Sequence, residues 1–334
     1  MASRGISREL FEAHFCPRFG VANPERMNNP FWEWEIRRRL DGDGVYPSKV
    51  RRELGIESGE EAFIPTWTFS RMGQTETVLA DGTRVFIAGE YEDWYDPDFQ
   101  IYNDVIVVAP SGEVSIFGYP REIFPPTDFH TATLIGERII VIGSLGYPED
   151  RRAGMTQVFE LSLADYSMKR LPSIGDAPGW IHHHETELDG EEGILVSSGQ
   201  VQEEIDGKKR MWRNRSTFAY QLVTGNWRCG SSRASRQWKM RRRNHRPWSP
   251  GAEFEFEHFL TADELKESEG IGDEKPYRHR QLTCDGMTIE LDFDFNSLEV
   301  AIEGEGPAEE WVNDVMQRVS AACGAECAMV ERGR

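Results

Sequence analysis

The sequence predicts a mainly β protein flanked by a helical N-terminal segment and a small α+β C-terminal unit. Two observations carry the central part. Between Thr66 and Arg228, apolar runs of four to six residues alternate with Gly, Pro, Asp and Asn clusters, the texture of short strands joined by turns. Three of those runs also recur at a fixed spacing, and a period of this size marks a repeat architecture. A third observation is the change of texture at both ends, where helical and then mixed patterns replace the short strands.

The repeat is carried by Arg84-Val-Phe-Ile-Ala-Gly89, Arg138-Ile-Ile-Val-Ile-Gly-Ser144 and Gly193-Ile-Leu-Val-Ser-Ser-Gly199. Their small-residue pairs begin at Ala88, Gly143 and Ser198, each 55 residues after the last. His130 and His184 precede two of the runs, 54 residues apart. A second strand follows each run at Asp104–Val108, Val158–Ser162 and Phe218–Leu222. Each of those closes in a turn, at Ser111-Gly112, Ala164-Asp165 and Thr224-Gly225-Asn226, the last leading to Trp227. The small pairs suit places where crowded strands leave no room for side chains.

In these landmarks the chain resembles kelch-repeat proteins, whose blade opens on a His or polar strand, continues in an apolar strand ending in Gly-Gly, and closes with a Trp. The resemblance covers about half the sequence, and it implies three kelch-like four-stranded blades of a partial or divergent propeller. It departs from the family in that no repeat keeps a true Gly-Gly and only the third keeps the Trp. Propellers close with four to eight blades. Residues 229 to 303 supply a divergent fourth, or the three form an open stack capped by the termini, or a second copy completes a ring. The domain division expected is 1–62 as the helical N-terminal segment, 63–230 as the repeats, 231–252 as a basic linker or divergent blade, and 253–334 as the α+β unit.

In the N-terminal segment, Asn23 precedes Pro24 as a cap-type residue and predicts a turn or short helix. Asn29 caps a helix running to Leu40, with Pro30 in its first turn and Phe31, Trp34 and Trp32 as its packing face. Arg37 to Arg39 favour its C-terminal dipole end. Pro47 to Leu54 is a further helix closed by Gly55. In the C-terminal unit, Thr288 to Phe295 alternates strictly and puts Ile289, Leu291, Phe293 and Phe295 on one buried face. Asn296-Ser297 turns the chain back through Leu298–Ile302. Pro307 opens a helix whose Trp311, Val312, Val315, Met316 and Val319 form one apolar stripe, and Cys327–Val330 is a last strand.

Composition narrows the partners. The 334 residues carry 57 acidic and 38 basic side chains, a net charge of −19, which opposes general nucleic-acid binding. Yet no acidic residue lies between Asp206 and Glu253, and 13 basic residues from Lys208 to Arg246 fall in that window. With Trp238 and Trp248 nearby, the stretch has the cations and rings that single-stranded nucleic acid favours. The preferred expectation is that it docks on the chain's own acidic surface or on another copy, giving a possible homo-oligomer. The N-terminus lacks an apolar leader, no run is long enough to span a membrane, and the five cysteines follow no disulfide framework; the expected location is cytoplasmic. Cys323-Gly-Ala-Glu-Cys327 has no second ligand pair to complete a zinc site. No dinucleotide or phosphate-loop motif occurs, so no cofactor is expected.

If each repeat is a four-stranded antiparallel blade, its second-to-third-strand loop and its entry into the next blade share one face. That face gathers Glu90, Tyr91, Asp93 and Tyr95 from one loop, Tyr147 and Arg151 from the second, and Trp212 from the third. The blade entries add Asp128, His130, His182 and His184. His182 and His184, on one side of a strand, could ligate a metal with Asp128 or His130. The plainer alternative is that each strand-opening His hydrogen-bonds the adjacent blade. The leading functional expectation is a recognition scaffold binding a protein or small ligand through this loop face. The alternative is an enzyme on the same face, of the sugar-mutarotase or metal-assisted lyase or hydrolase kind.

Overall fold

The computed structural model describes residues 5–43, 46–56, 64–91, 99–232, 236–248, 255–270, 279–294 and 296–332. The protein is mainly β, with several antiparallel sheets and few helices. It divides into two compact units: residues 1–204 with 208–231, and residues 205–207 with 232–334.

In the first unit the period seen in the sequence becomes three antiparallel meanders. The first orders Thr75–Val78, Arg84–Ile87, Val105–Val108 and Val114–Gly118 as sequential neighbours. The second does the same with Thr131–Ile135, Arg138–Ile142, Val158–Ser162 and Met168–Arg170, and the third with Glu185–Asp189, Gly193–Ser197, Ser216–Gln221 and Asn226–Ser232. Short turns join the first strand to the second and the third to the fourth, and such turns permit only antiparallel return, while longer segments join the second strand to the third. The central strands are apolar on both faces because neighbouring sheets pack on them: Val141 and Phe159 with Ile87 and Val105 on one side, Ile140 and Val158 with Ile194 and Tyr220 on the other.

The recurrent small pairs have a steric cause. Ala88, Gly89, Gly143, Ser198 and Gly199 all adopt positive φ. A Cβ on Gly143 would lie 2.4 Å from the Ile181 carbonyl oxygen, and one on Gly199 2.5 Å from that of His182. At Gly143 one meander passes directly against the entry of the next, and at Gly199 the third meander passes against its own entry, so a side chain has no space.

The free face of the first meander is covered by the N-terminal helices. Arg8–His14 starts from a Ser7 cap, and Pro30–Leu40 starts from Asn29, whose side chain accepts from the amides of Phe31 and Trp32. Phe31, Trp32 and Ile36 are buried against Phe86, Ile106 and Ile116, while Trp34 is only partly buried. Pro47–Glu53 forms the third helix. Asn23 and Pro24 form the expected turn, and it leads into a two-residue strand, Glu25–Arg26, paired with Phe117 and Gly118. A free sheet edge captured this segment, which its local cap signal did not foretell.

The second unit wraps one sheet around the amphipathic helix Ala308–Ala322. Met287–Phe293 pairs with Leu298–Gly304, Leu291 opposite Val300, and Ile289, Leu291 and Phe293 point inward as alternation requires. Phe295 lies outside the described residues. Arg236–Arg242, expected as basic linker or divergent blade, is a strand between Leu298–Gly304 and Cys327–Glu331. Gln237, Trp238, Lys239 and Met240 in it are all buried. Trp248 is also core, its indole donating to the Asp294 carbonyl at 3.0 Å. Two rings that the sequence offered for base stacking are therefore interior.

Candidate functional site

The entries to the second and third meanders build the site. Met72-Gly73-Gln74, Asp128-Phe129-His130 and His182-His183-His184 occupy corresponding places before the first strand of each meander. In all three the middle residue has positive φ. The resulting turns stack: the Phe129 amide donates to Gly73 O at 3.0 Å, and the His183 amide to Phe129 O at 2.9 Å. The Phe129 and His183 rings lie face to face, centroids 3.9 Å apart.

This backbone separates the histidines by role. A 2.9 Å hydrogen bond joins His130 Nε2 to Thr75 Oγ1, and another of equal length joins His184 Nε2 to Thr131 Oγ1. Each ties one meander's opening strand to the previous one. Burial drives both pKa values down to about 3, so both rings are neutral at ordinary pH. The expectation that His182 and His184 share a strand face fails, because the strand Trp180–His182 ends there and the left-handed turn at His183 sends His184 elsewhere. Among the described residues, no group of three or more His, Cys, Asp or Glu is placed to hold a metal ion.

His182 takes another course. Its Nδ1 lies 2.6 Å from His183 Nδ1, while its Nε2 is buried and meets no partner among the described residues. Burial, aided by His183, Arg151 and His184, brings its pKa to about 3. Asp128 is fully buried. Its Oδ1 accepts from Ser144 Oγ at 3.1 Å and from the Gly146 amide at 2.6 Å, and its Oδ2 has no partner among the described residues. The Leu145-Gly146 turn so held also receives the Trp180 indole, which donates to Leu145 O at 3.0 Å. Arg151 donates from Nε to Leu145 O and from Nη2 to Gly146 O, at 2.9 and 3.0 Å. Burial lowers the Arg151 pKa against the opposing pull of Asp128, Glu149 and Glu90.

Trp180 and His182 share one face of their strand, opposite Gln202 and Gln200 of the strand Gln200–Ile205. Gln202 is buried and its Nε2 also meets no partner among the described residues. The segment 200–215, expected as a loop, is a hairpin of Gln200–Ile205 and Lys208–Arg213 added to Trp180–His182 as a separate sheet. Trp212 is fully buried within it, its indole N–H without a partner among the described residues.

The other expected residues are spread more widely. Tyr147 Oη accepts from the Ile101 amide at 2.9 Å, and its ring meets Phe99 edge-on. It lines a cavity of about 260 Å³ with Tyr102, Asp104, Arg121 and Gln100. Glu90 is buried, with its backbone paired to Met72 and Ile101. Tyr91 packs in the core beneath the N-terminal helices. Asp93 and Tyr95 lie outside the described residues. Sequence inspection missed Trp180, His183 and Gln202. The first two stood beside His182 in the sequence, but only the hairpin pairing brings Gln202 to them.

The basic window finds acids and carbonyls of the chain itself. Lys209 donates to Pro148 O at 3.0 Å in the first unit. In the second, Arg236 pairs with Glu309 and Glu331, Lys239 with Glu299, and Arg243 with Glu326. Among the described residues no helix is long and apolar enough to cross a membrane.

No protein-family model matches the sequence, and comparison with curated proteins gives no match. Among solved structures, one described as "Structure of YjhT" aligns with a TM-score of 0.33 and 14% identity, over 70% of this chain and 66% of that one. So distant a likeness carries no argument about fold or function.

Proposed function

We propose that the chain is a kelch-like recognition scaffold, its three meanders acting as blades of a partial or divergent propeller, and that the inter-strand loop face holds a small polar ligand. The observation that carries this is that Asp128 Oδ2, His182 Nε2 and Gln202 Nε2, on residues at the meander entries and the hairpin paired to one of them, are buried and meet no partner among the described residues. Burying a polar group without a partner costs about 1–3 kcal/mol, and sites of binding are where such costs persist. A carboxyl oxygen, an amide donor and a neutral imidazole are the complement of a ligand bearing both hydroxyl or amide donors and carbonyl acceptors.

A binding role is favoured over acid–base catalysis on this face by the state of the imidazole. A general base works best with a pKa near the operating pH, whereas His182 is held at about 3. It accepts or donates a hydrogen bond without changing charge.

The test is Gln202→Met, which keeps the volume and removes the unpartnered amide. The free protein should gain about 1 kcal/mol in urea unfolding, and polar metabolites that raise the melting temperature of the parent should no longer do so. A variant less stable than the parent by a similar amount would mean that the amide is satisfied internally, and the ligand reading would fall.

A further inference from the structure

The second unit contains a dithiol that the ligand face does not use. Cys323 caps the C-terminal end of the helix Ala308–Ala322, and Cys327 opens the strand Cys327–Glu331. Between them Gly324 adopts φ of 60°, and the Ala325 amide returns to Ser320 O at 3.2 Å, closing the helix in a tight reversal. That reversal brings the two sulfurs to 3.7 Å. Both thiols lie against the same acceptor, Ala325 O, at 3.6 and 3.7 Å, so they stand on one side of the turn. Cys327 is buried and Cys323 is partly exposed, and both are free.

We propose that Cys323 and Cys327 form a peroxide-oxidisable dithiol that closes into an intramolecular disulfide. A disulfide needs the sulfurs at about 2.05 Å, an approach that side-chain rotation within so short a loop supplies. The partly exposed Cys323 reacts first. Its thiolate attacks one peroxide oxygen, the O–O bond breaks, and Cys323 becomes a sulfenic acid with hydroxide released. The Cys327 sulfur then attacks that sulfur. The S–S bond forms, the S–O bond breaks, and the departing hydroxide takes the Cys327 proton as water. In sum two thiols are oxidised by two electrons and one peroxide is reduced to two waters. Burial raises the Cys327 thiol to about 11, which keeps it protonated at neutral pH and makes the closing step the slower one. The bond would clamp the end of the helix to the strand that pairs with Arg236–Arg242.

The full-length protein allows a direct test, because Arg318 and Arg332 place both cysteines in one tryptic peptide and Glu326 separates them. After treatment with hydrogen peroxide and then N-ethylmaleimide, peptide 319–332 should carry no maleimide and weigh two hydrogens less than its reduced form. Cutting after Glu326 should leave its halves linked until dithiothreitol is added. The exposed Cys16 and Cys229 should still take maleimide. In Cys323→Ser, Cys327 should remain labelled. Two maleimides on the peroxide-treated parent peptide, sulfinic acid at Cys323 beside labelled Cys327, or cross-links to Cys16 or Cys229 would each overturn the proposal.

Discussion

His130 and His184 tie adjacent meanders together as neutral rings, and that makes the first unit sensitive to acid in a calculable way. Both have pKa values lowered by burial to about 3, against about 6.5 in an unfolded chain. The unfolded state therefore binds protons that the folded state refuses. The stability each histidine confers is complete above pH 6.5 and is lost as pH falls from there toward 3. Between pH 7.5 and 5.5 the loss is RT ln(11/1.1) for each ring, about 1.4 kcal/mol, or about 3 kcal/mol for the pair. A typical domain has only about 5–15 kcal/mol in all.

The perturbation is His130→Gln with His184→Gln. Glutamine already occupies the corresponding place in the first meander, at Gln74, where its Nε2 reaches Ala88 O at 3.3 Å. It keeps a polar tip near each threonine and removes the titration. Urea unfolding at the two pH values, followed by hydrogen exchange in strands Arg138–Ile142 and Gly193–Ser197, isolates the unit concerned. The parent should lose about 3 kcal/mol more than the double variant on acidification. Other titrating groups are common to both proteins and cancel in the comparison. Equal losses would show that the rings are not held neutral, and the account of the inter-meander ties would be wrong.

Three further outcomes follow from the geometry. Glu35, fully buried and accepting from Thr68 Oγ1 and the Phe69 amide, has its carboxyl raised by burial to about 7; such a group costs stability increasingly as pH rises from 4.5 through 7, so Glu35→Gln should stabilise by about 1–3 kcal/mol at pH 8 and much less at pH 5, read by chemical denaturation. Gly143→Ala should destabilise by more than about 3 kcal/mol, because it combines a strained φ with a clash against the Ile181 carbonyl; a loss under about 1 kcal/mol in urea unfolding would remove the crowding argument. Arg243→Glu reverses one exposed partner of Glu326 and should change stability by less than about 0.5 kcal/mol, with sedimentation showing no change in association state; a shift in that state would make the basic window an interface between copies.

The elements legible in the sequence were those whose determinants are local. Alternation alone placed Met287–Phe293 and its partner strand, and Asn29-Pro30 placed a helix start. The 55-residue spacing placed the central strands of three meanders before any pairing was known. What escaped depended on partners far along the chain. Arg236–Arg242 has the charge of a linker and the position of a middle strand, because its cations reach acids at Glu299, Glu309 and Glu331. Glu25–Arg26 became a strand because an edge near residue 118 was open. In the candidate site, Asp128 and His182 stood out as polar residues at strand entries. Gln202 did not, since nothing local distinguishes a buried amide from one on a solvated hairpin.

Comparison among the meanders separates what recurs from what varies. Gly143 N donates to Gln157 O as Ala88 N does to Asp104 O, and Ser144 N to Ile181 O as Gly89 N does to Thr127 O. These bonds recur because the same crossing recurs, and the His–Thr ties belong with them. The residue two places before each of Gln74, His130 and His184 behaves differently. It is an exposed methionine at Met72, a buried carboxylate at Asp128 and a buried imidazole at His182. The backbone there is the same in form, so packing alone does not demand three such different side chains. The two polar ones are also the two left with a buried atom unpartnered. Unpartnered buried atoms also occur in the recurring ties, at Nδ1 of His130 and of His184, so what sets this place apart is the change of side chain from one meander to the next. Variation in chemistry at a place of constant geometry, joined to unspent hydrogen-bonding capacity, is what the proposed recognition surface would require.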